Sequence, residues 1–169
     1  MLPAPRYKRG YELEERAKVA TSIALLLPVL HTTGHHHPFV NQASWLLMCV
    51  GCTLHHSFPD SSFWHDMDQW IAQLSCGGVL LHMEGEQSHW VALYLAAAIG
   101  TCWNRGARVV CSAGCIVFLT VRHASLLGLI WGVAAGLCFV LQHRVSYGHV
   151  AWHVFISLVG YNVTAPFSN

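Results

Sequence analysis

The chain has 169 residues, of which 54% are hydrophobic and only 10% are charged, with nine Lys or Arg against eight Asp or Glu. A soluble domain usually carries roughly 25% charged residues. This composition argues against a disordered chain, a basic nucleic-acid-binding domain and a cytosolic globular protein. It favours a polytopic membrane protein and leaves thirteen histidines to be explained.

Uncharged stretches mark the predicted helices. Residues 19–59 carry no formal charge, and the polar residues 31–38, which include Gly34 and Pro38, divide this stretch into two. We predict an all-α transmembrane bundle of seven helices, or of six if one short pair forms a single re-entrant segment. The predicted ranges are residues 18–31, 40–56, 67–83, 89–103, 107–121, 124–142 and 147–163.

The charges also predict the domain organisation and the orientation. We interpret residues 1–18 as a cytoplasmic head, 19–163 as the seven-helix transmembrane domain and 164–169 as a short tail. We expect no cleaved signal peptide, because a polar head precedes the first apolar stretch. With the N-terminus inside, the inner segments contain eight Lys or Arg and the outer segments contain only Arg122. The positive-inside rule therefore predicts an inner N-terminus and an outer C-terminus.

Most cysteines and histidines have simple structural interpretations. The seven cysteines lie in predicted apolar helices, where Cys acts as a small hydrophobic residue, so we expect reduced, mostly structural thiols. The run His35-His36-His37 is expected to be part of a polar loop. Further histidines near predicted helix ends are expected at the membrane interface: His82, His89, His123 and His143.

A smaller group of polar residues indicates a metal site. His149 and His153 are four residues apart and share one helix face, as in helical zinc sites. His56 closes predicted helix 2, and Asp68 opens predicted helix 3. Because the end of helix 2 and the starts of helices 3 and 7 face the same side of the membrane, these clusters converge. His55 is a rival to His56, although we favour an interfacial position for it.

This set of residues suits a hydrolytic chemistry. Three neutral imidazoles on zinc leave a fourth position for a water molecule, whose pKa falls to roughly 7. Asp68 could accept its proton as a general base. Cys52, one turn before His56, could orient the water or a developing oxyanion, although a thiol is a weak donor. The alternative is a polar network at the helix ends, satisfied by water and backbone groups.

These residues resemble the CREST superfamily of seven-helix membrane proteins, which includes alkaline ceramidases, progestin and adipoQ receptors, hemolysin III-type proteins and GPI-remodelling lipases. Residues 52–59 (CTLHHSFP) are similar to the STLYHS-type segment of the receptor and hemolysin III branch. Asp68 lies where that branch has an LDH or LDY triplet, and residues 148–155 match the histidine motif of the last helix. The pair Glu14-Glu15 is similar to an acidic entry in bacterial members.

The resemblance implies a zinc ion bound by His56, His149 and His153, with Asp68 on the metal-activated water. It also implies a hydrolase of lipid amides or esters, or a receptor with residual ceramidase-like activity. Membrane lipids are then the partners, with a sphingolipid-like substrate or ligand and no nucleic acid. Family members usually have Ser at the position of Cys52, a departure that puts the activity in question and leaves metal binding intact.

Three functions stay open at this point. The first is a zinc-dependent hydrolase of membrane lipids with its site near the inner leaflet. The second is a receptor-like seven-helix protein whose zinc is structural and which has little or no turnover. The third is a metal or proton transporter, or a pore, that uses histidines as a relay.

Overall fold

The computed structural model describes residues 7–30, 36–142, 144–145 and 147–164, and within these ranges the chain forms seven α-helices, one 3₁₀ helix and no strand. The all-α expectation is confirmed, and each predicted helix overlaps an observed one. His35 and His143 lie outside the described residues. The elements are α1 (Tyr7–Ser22), the 3₁₀ helix (Ile23–Leu30), α2 (Pro38–Ser57), α3 (Ser62–Glu84), α4 (His89–Thr101), α5 (Arg105–His123), α6 (Leu126–Leu141) and α7 (Gly148–Thr164).

Capping residues explain where several helices begin. The helices α3, α4, α5 and α6 each follow a residue whose side-chain oxygen accepts a hydrogen bond from a backbone N–H in the first turn. These residues are Ser61, Ser88, Asn104 and Ser125, which are among the preferred N-cap types. Helix α2 begins at Pro38, where the missing N–H costs nothing because no partner exists in the first turn.

The first helix differs from its prediction. Helical structure begins at Tyr7 instead of residue 18, and it changes from α to 3₁₀ geometry after Ser22. Pro28 is a physical cause of this change, because its ring would clash with the carbonyl of Ala24 in a continuous α-helix. Much of the charged head is therefore helical and continuous with the first apolar segment.

The helices pack in a ring. Helix α1 and the 3₁₀ helix lie against both α2 and α7, α2 packs on α3, α3 on α5, α5 on α6, and α6 on α7. Helix α4 contacts α3 and α5. Arg108 of α5 pairs with Asp66 of α3 at 3.4 Å, at the end we call the site end. Arg122 pairs with Glu84 at 2.6 Å at the opposite end, the far end.

One close helix contact depends on a glycine. A Cβ atom on Gly160 of α7 would overlap the ring of Trp45 of α2 and would lie 2.8 Å from Pro28 Cγ of the 3₁₀ helix. Trp45 is buried, so its ring has little room to move. The absence of a side chain at residue 160 lets α7, α2 and the 3₁₀ helix approach one another.

Polar side chains are frequent inside the bundle, and apolar side chains are frequent outside it. Buried polar residues include Ser22, Asn41, Ser44, His56, Gln73, Ser75, His82, His153 and Ser157. Exposed apolar residues of α4, α5 and α6 include Leu93, Leu95, Ile99, Val110, Val117, Val121, Ile130, Val133, Leu137 and Val140. Among the described helices, α5 alone is both long and apolar enough to cross a membrane, and α4 and α6 are shorter apolar helices.

Candidate metal centre

Three histidines meet at the site end of the bundle. His56 lies in the last turn of α2, and His149 and His153 lie in the first turns of α7. Each offers one ring nitrogen, and these three atoms lie within 4.8 Å of one another. His56 and His153 are 5% and 0% exposed. We call these three residues the histidine cluster, and it could hold a metal ion.

The hydrogen bonds of His153 determine which of its ring nitrogens carries the proton. Thr21 Oγ1 of α1 lies 2.8 Å from the carbonyl oxygen of Ala17, to which it donates. Its oxygen is then free to accept from the Nδ1–H of His153 at 3.1 Å. Nε2 of His153 is left with a lone pair, and it is buried with no hydrogen-bond partner among the described residues.

The other two histidines have the same arrangement. Nδ1 of His56 lies 3.3 Å from Oε2 of Glu15, and an ionised carboxylate can only accept, so the proton is on Nδ1. Nδ1 of His149 hydrogen-bonds Oε1 of Gln142, which again places the proton on Nδ1. The Nε2 atoms of His56 and His149 are 3.1 Å apart. With both protons on Nδ1, neither Nε2 can donate to the other.

The donor set fits a cation. One ring nitrogen from each of three imidazoles converges here, and two of the three rings are buried. A cation between these nitrogens would offset the mutual repulsion of their lone pairs. Metal-binding histidines typically donate their other ring N–H to a carboxylate, a carbonyl or a water molecule. Glu15, Thr21 and Gln142 each take this outer position on one histidine.

Cys52 and Asp68 lie next to each other on α2 and α3. The Cys52 thiol is near enough to the Asp68 carboxylate to interact with it, and Cys52 is one turn before His56. Oδ1 of Asp68 is buried and has no hydrogen-bond partner in the part of the chain that is described. Neither residue belongs to the group of mutually close ligand atoms. The predicted roles of Asp68 as general base and of Cys52 as donor stay predictions.

The neighbouring histidine and acid have other partners. Nε2 of His55 lies 3.2 Å from Nδ1 of His65, and His55 is not part of the histidine cluster. Asp66 is half exposed and lies 3.7 Å from Nε of Arg105 and 3.4 Å from Arg108. It therefore links α3 to α5 at the site end.

The contacts between α1 and the histidine cluster were not predicted from the sequence. Nζ of Lys18 lies 2.6 Å from Oε1 of Glu15 and 3.4 Å from Oε1 of Glu14. Burial lowers the pKa of Lys18, but the hydrogen bonds and negative charges of the two glutamates outweigh this effect and raise it. The spacing of these three residues predicts only that they share a helix face, and acids three and four positions before a lysine are typical of an exposed face.

At this end of an all-α chain, the structure thus places three histidines that could hold a metal ion. No family model, no curated protein and no solved structure matches the chain.

Proposed function

We propose that the chain is an integral membrane, zinc-dependent hydrolase of the CREST type, which cleaves lipid amide or ester bonds with water. The observation that carries this proposal is the convergence of one ring nitrogen from each of His56, His149 and His153 within 4.8 Å, with Cys52 one turn before His56 and Asp68 beside Cys52. Such a set of groups combines metal ligands, a proton acceptor and a hydrogen-bond donor in one place.

Zinc suits the histidine cluster better than harder metals. Neutral imidazoles are good zinc ligands, whereas magnesium and calcium prefer oxygen. The Nε2 atoms of His56 and His149 are 3.1 Å apart, and the three ligand atoms lie within 4.8 Å of one another, so the three side chains could hold one ion. Three protein ligands also leave a fourth position open, as in catalytic zinc sites.

The residues beside the cluster supply the proton transfers. A zinc ion bound here would provide a water molecule with a pKa lowered to about 7. Oδ1 of Asp68 is a buried acceptor that can take a proton from this water as it attacks the carbonyl carbon. When the C–N or C–O bond breaks, Asp68 returns that proton to the leaving amine or alcohol. The Cys52 thiol, beside this carboxylate on α2, is the candidate hydrogen-bond donor.

The surface of the bundle supports a membrane location. The outer faces of α4, α5 and α6 are rich in exposed aliphatic residues, which a bilayer would cover. Helices α2, α3 and α5 have 20, 23 and 19 residues, or about 28–35 Å at 1.5 Å per residue, close to the hydrocarbon thickness of about 30 Å. Helix α4, with 13 residues, is shorter.

The position of the site within the bundle suggests the substrate. The histidine cluster lies at the site end, where Glu15 and Lys18 of the charged head and the start of α5 also lie. The amide of a ceramide-like lipid lies just below the headgroup, at a similar depth to residues in the last turn of a spanning helix. A substrate of this kind could present its carbonyl to the site without leaving the inner leaflet.

Cys52 supports a second candidate, a receptor-like protein with a structural zinc. Cys52 is 4% exposed, and its thiol is a weaker donor than the serine that the resembling family usually has. In such a protein the same three histidines would bind zinc, and the bundle would respond to a lipid without cleaving it.

Metal content and turnover of the purified full chain test the proposal. We expect about one zinc per chain and hydrolysis of a fluorescent ceramide or of its ester analogue. Asp68→Asn should retain zinc and lose about 10²–10⁴-fold in turnover, the usual contribution of a general base. His149→Ala/His153→Ala should lose both. His55→Ala is the matched control, because His55 is next to His56 but outside the cluster.

The outcomes separate the candidates. Less than half a zinc per folded wild-type chain would contradict the proposal. One zinc per chain without turnover of any amide or ester lipid favours the receptor-like protein. Metal or proton flux in proteoliposomes that survives His56→Ala favours a transporter or pore.

A further inference from the structure

We infer that Glu15, in the charged head, is a positioning residue of the metal centre that acts through His56. This inference rests on the proposed zinc site and goes beyond it, because it makes α1 part of the site. Neither the ligand spacing nor the histidine cluster itself assigns a role to this glutamate.

The two oxygen atoms of the Glu15 carboxylate contact two different side chains. Oε2 lies 3.3 Å from Nδ1 of His56, and Oε1 lies 2.6 Å from Nζ of Lys18. The Glu15 side chain is 13% exposed and that of His56 is 5% exposed, so water competes little for this contact. A carboxylate in this position fixes the ring orientation, keeps the proton on Nδ1 and makes Nε2 a better ligand.

Glu15 differs in charge from the other outer partners. Thr21 and Gln142 accept from His153 and His149 as neutral groups, whereas Glu15 carries a full negative charge. A divalent ion on three neutral imidazoles keeps its charge of +2 in a buried place. A negative charge one ring away offsets part of it, so Glu15 should affect metal affinity more than either neutral partner.

Glu14 provides an internal control. Both glutamates contact Nζ of Lys18, Glu14 at 3.4 Å and Glu15 at 2.6 Å. Of the two, Glu15 is the one that contacts His56. Removing either charge therefore changes the environment of Lys18, but only one of the two changes removes the partner of a metal ligand.

Zinc affinity of the full chain, measured by competition with a chromophoric chelator, tests the inference. We expect Glu15→Gln to weaken zinc binding by about 10–100-fold, the usual cost of losing an outer-shell partner, and Glu14→Gln to leave it unchanged. Glu15→Asp, which keeps the charge, should recover part of the loss. In ¹⁵N spectra of the metal-free chain, His56 should carry its proton on Nδ1 in the wild type and lose this preference in Glu15→Gln.

Each result supports or overturns the inference. Equal affinities of Glu15→Gln and Glu14→Gln would overturn it and leave the proposed function standing. A wild-type chain that binds no zinc would overturn both. If Glu15→Gln lowers the thermal midpoint of the metal-free chain as much as that of the zinc-loaded chain, Glu15 has a purely structural role and the inference fails.

Discussion

At the scale of single residues, the two ring nitrogens of each histidine in the cluster make different contacts. Nδ1 is held by Glu15, Thr21 or Gln142, and Nε2 faces the other histidines. Cys52 and Asp68 form a separate pair on α2 and α3. The three histidines that could hold a metal ion and the Cys52–Asp68 pair are therefore different side chains, which can be changed independently.

Cys52→Ser tests the donor position of the proposed hydrolase. In the donor role, the side chain at residue 52 hydrogen-bonds the water or the developing oxyanion, and a serine hydroxyl donates more strongly than a thiol. We therefore expect kcat for the ceramide-like substrate to rise by up to about tenfold, which corresponds to about 1.4 kcal/mol. Zinc content should not change, because Cys52 is outside the group of ligand atoms. The measurement is steady-state turnover together with metal content of the same preparation.

Cys49→Ser is the control for this change. Cys49 is also buried on α2, three residues before Cys52, and its thiol hydrogen-bonds Thr53 instead of Asp68. The Cys49→Ser substitution should leave kcat unchanged. A kcat for Cys52→Ser at or below the wild-type value, in a chain that keeps its fold and its zinc, would count against a donor role for this position.

At the scale of the elements, Pro28 and Gly160 shape the contact between the 3₁₀ helix, α2 and α7. Pro28 favours the departure from α geometry after Ser22, and Gly160 admits the ring of Trp45 and the ring of Pro28 to the surface of α7. The same packing places α1 against both α2 and α7, which are the two helices that carry the histidine cluster.

Gly160→Ala should destabilise the bundle. The added methyl group would overlap the buried Trp45 ring, and overpacking of this kind costs about 1–3 kcal/mol. For a chain of this length that corresponds to a fall in thermal midpoint of about 2–4 °C per kcal/mol. Gly136→Ala is the matched control: its Cβ would meet nothing within 4 Å, so the midpoint should stay or rise.

A midpoint for Gly160→Ala equal to that of Gly136→Ala would show that the Trp45 contact is absent or can relax freely. Both variants are measured in the same detergent or lipid, because the stability of a bundle of this kind depends on its surroundings.

The sequence predicted the positions of the helices and missed the partners between them. Ser61, Ser88, Asn104 and Ser125 mark helix starts locally, so a reader of the sequence can find them. Alternating helix directions also predicted that His56 would lie near α7. The contact of Glu15 with His56 depends on how α1 is rotated against its neighbours, which no local pattern specifies.

The helical head was missed for a related reason. Hydropathy reports the apolar segment, and the polar residues that precede it give no hydropathy signal even where they are helical. The Thr21 contact with His153 and the Gln142 contact with His149 were missed as well, because uncharged polar residues in or beside apolar helices have many possible partners.

At the scale of the whole molecule, the two ends of the bundle differ in charge. The site end has Glu14, Glu15 and Lys18 of the head together with Asp66, Arg105 and Arg108, and the far end has Glu84 paired with Arg122. Eight of the nine Lys and Arg residues belong to segments that the sequence assigns to the inner side. If the bundle spans a membrane, the positive-inside rule orients the histidine cluster toward the inner leaflet.

Labelling of single introduced cysteines in sealed, right-side-out vesicles tests this orientation. Glu86→Cys is exposed between α3 and α4 at the far end, and Asp60→Cys is exposed between α2 and α3 at the site end. We expect an impermeant maleimide to label Glu86→Cys in intact vesicles and Asp60→Cys only after permeabilisation. The unsubstituted chain gives the background of the native thiols, which are buried or half-buried in the described structure.

The reverse pattern would place the histidine cluster at the outer leaflet and contradict the positive-inside prediction. Labelling of both positions from the same side would show that α3 does not cross, because residues 60 and 86 flank that helix alone. In that case its 23 residues, although about 35 Å long, would belong to a bundle that lies outside the bilayer. The apolar faces of α4, α5 and α6 would then require a different cover.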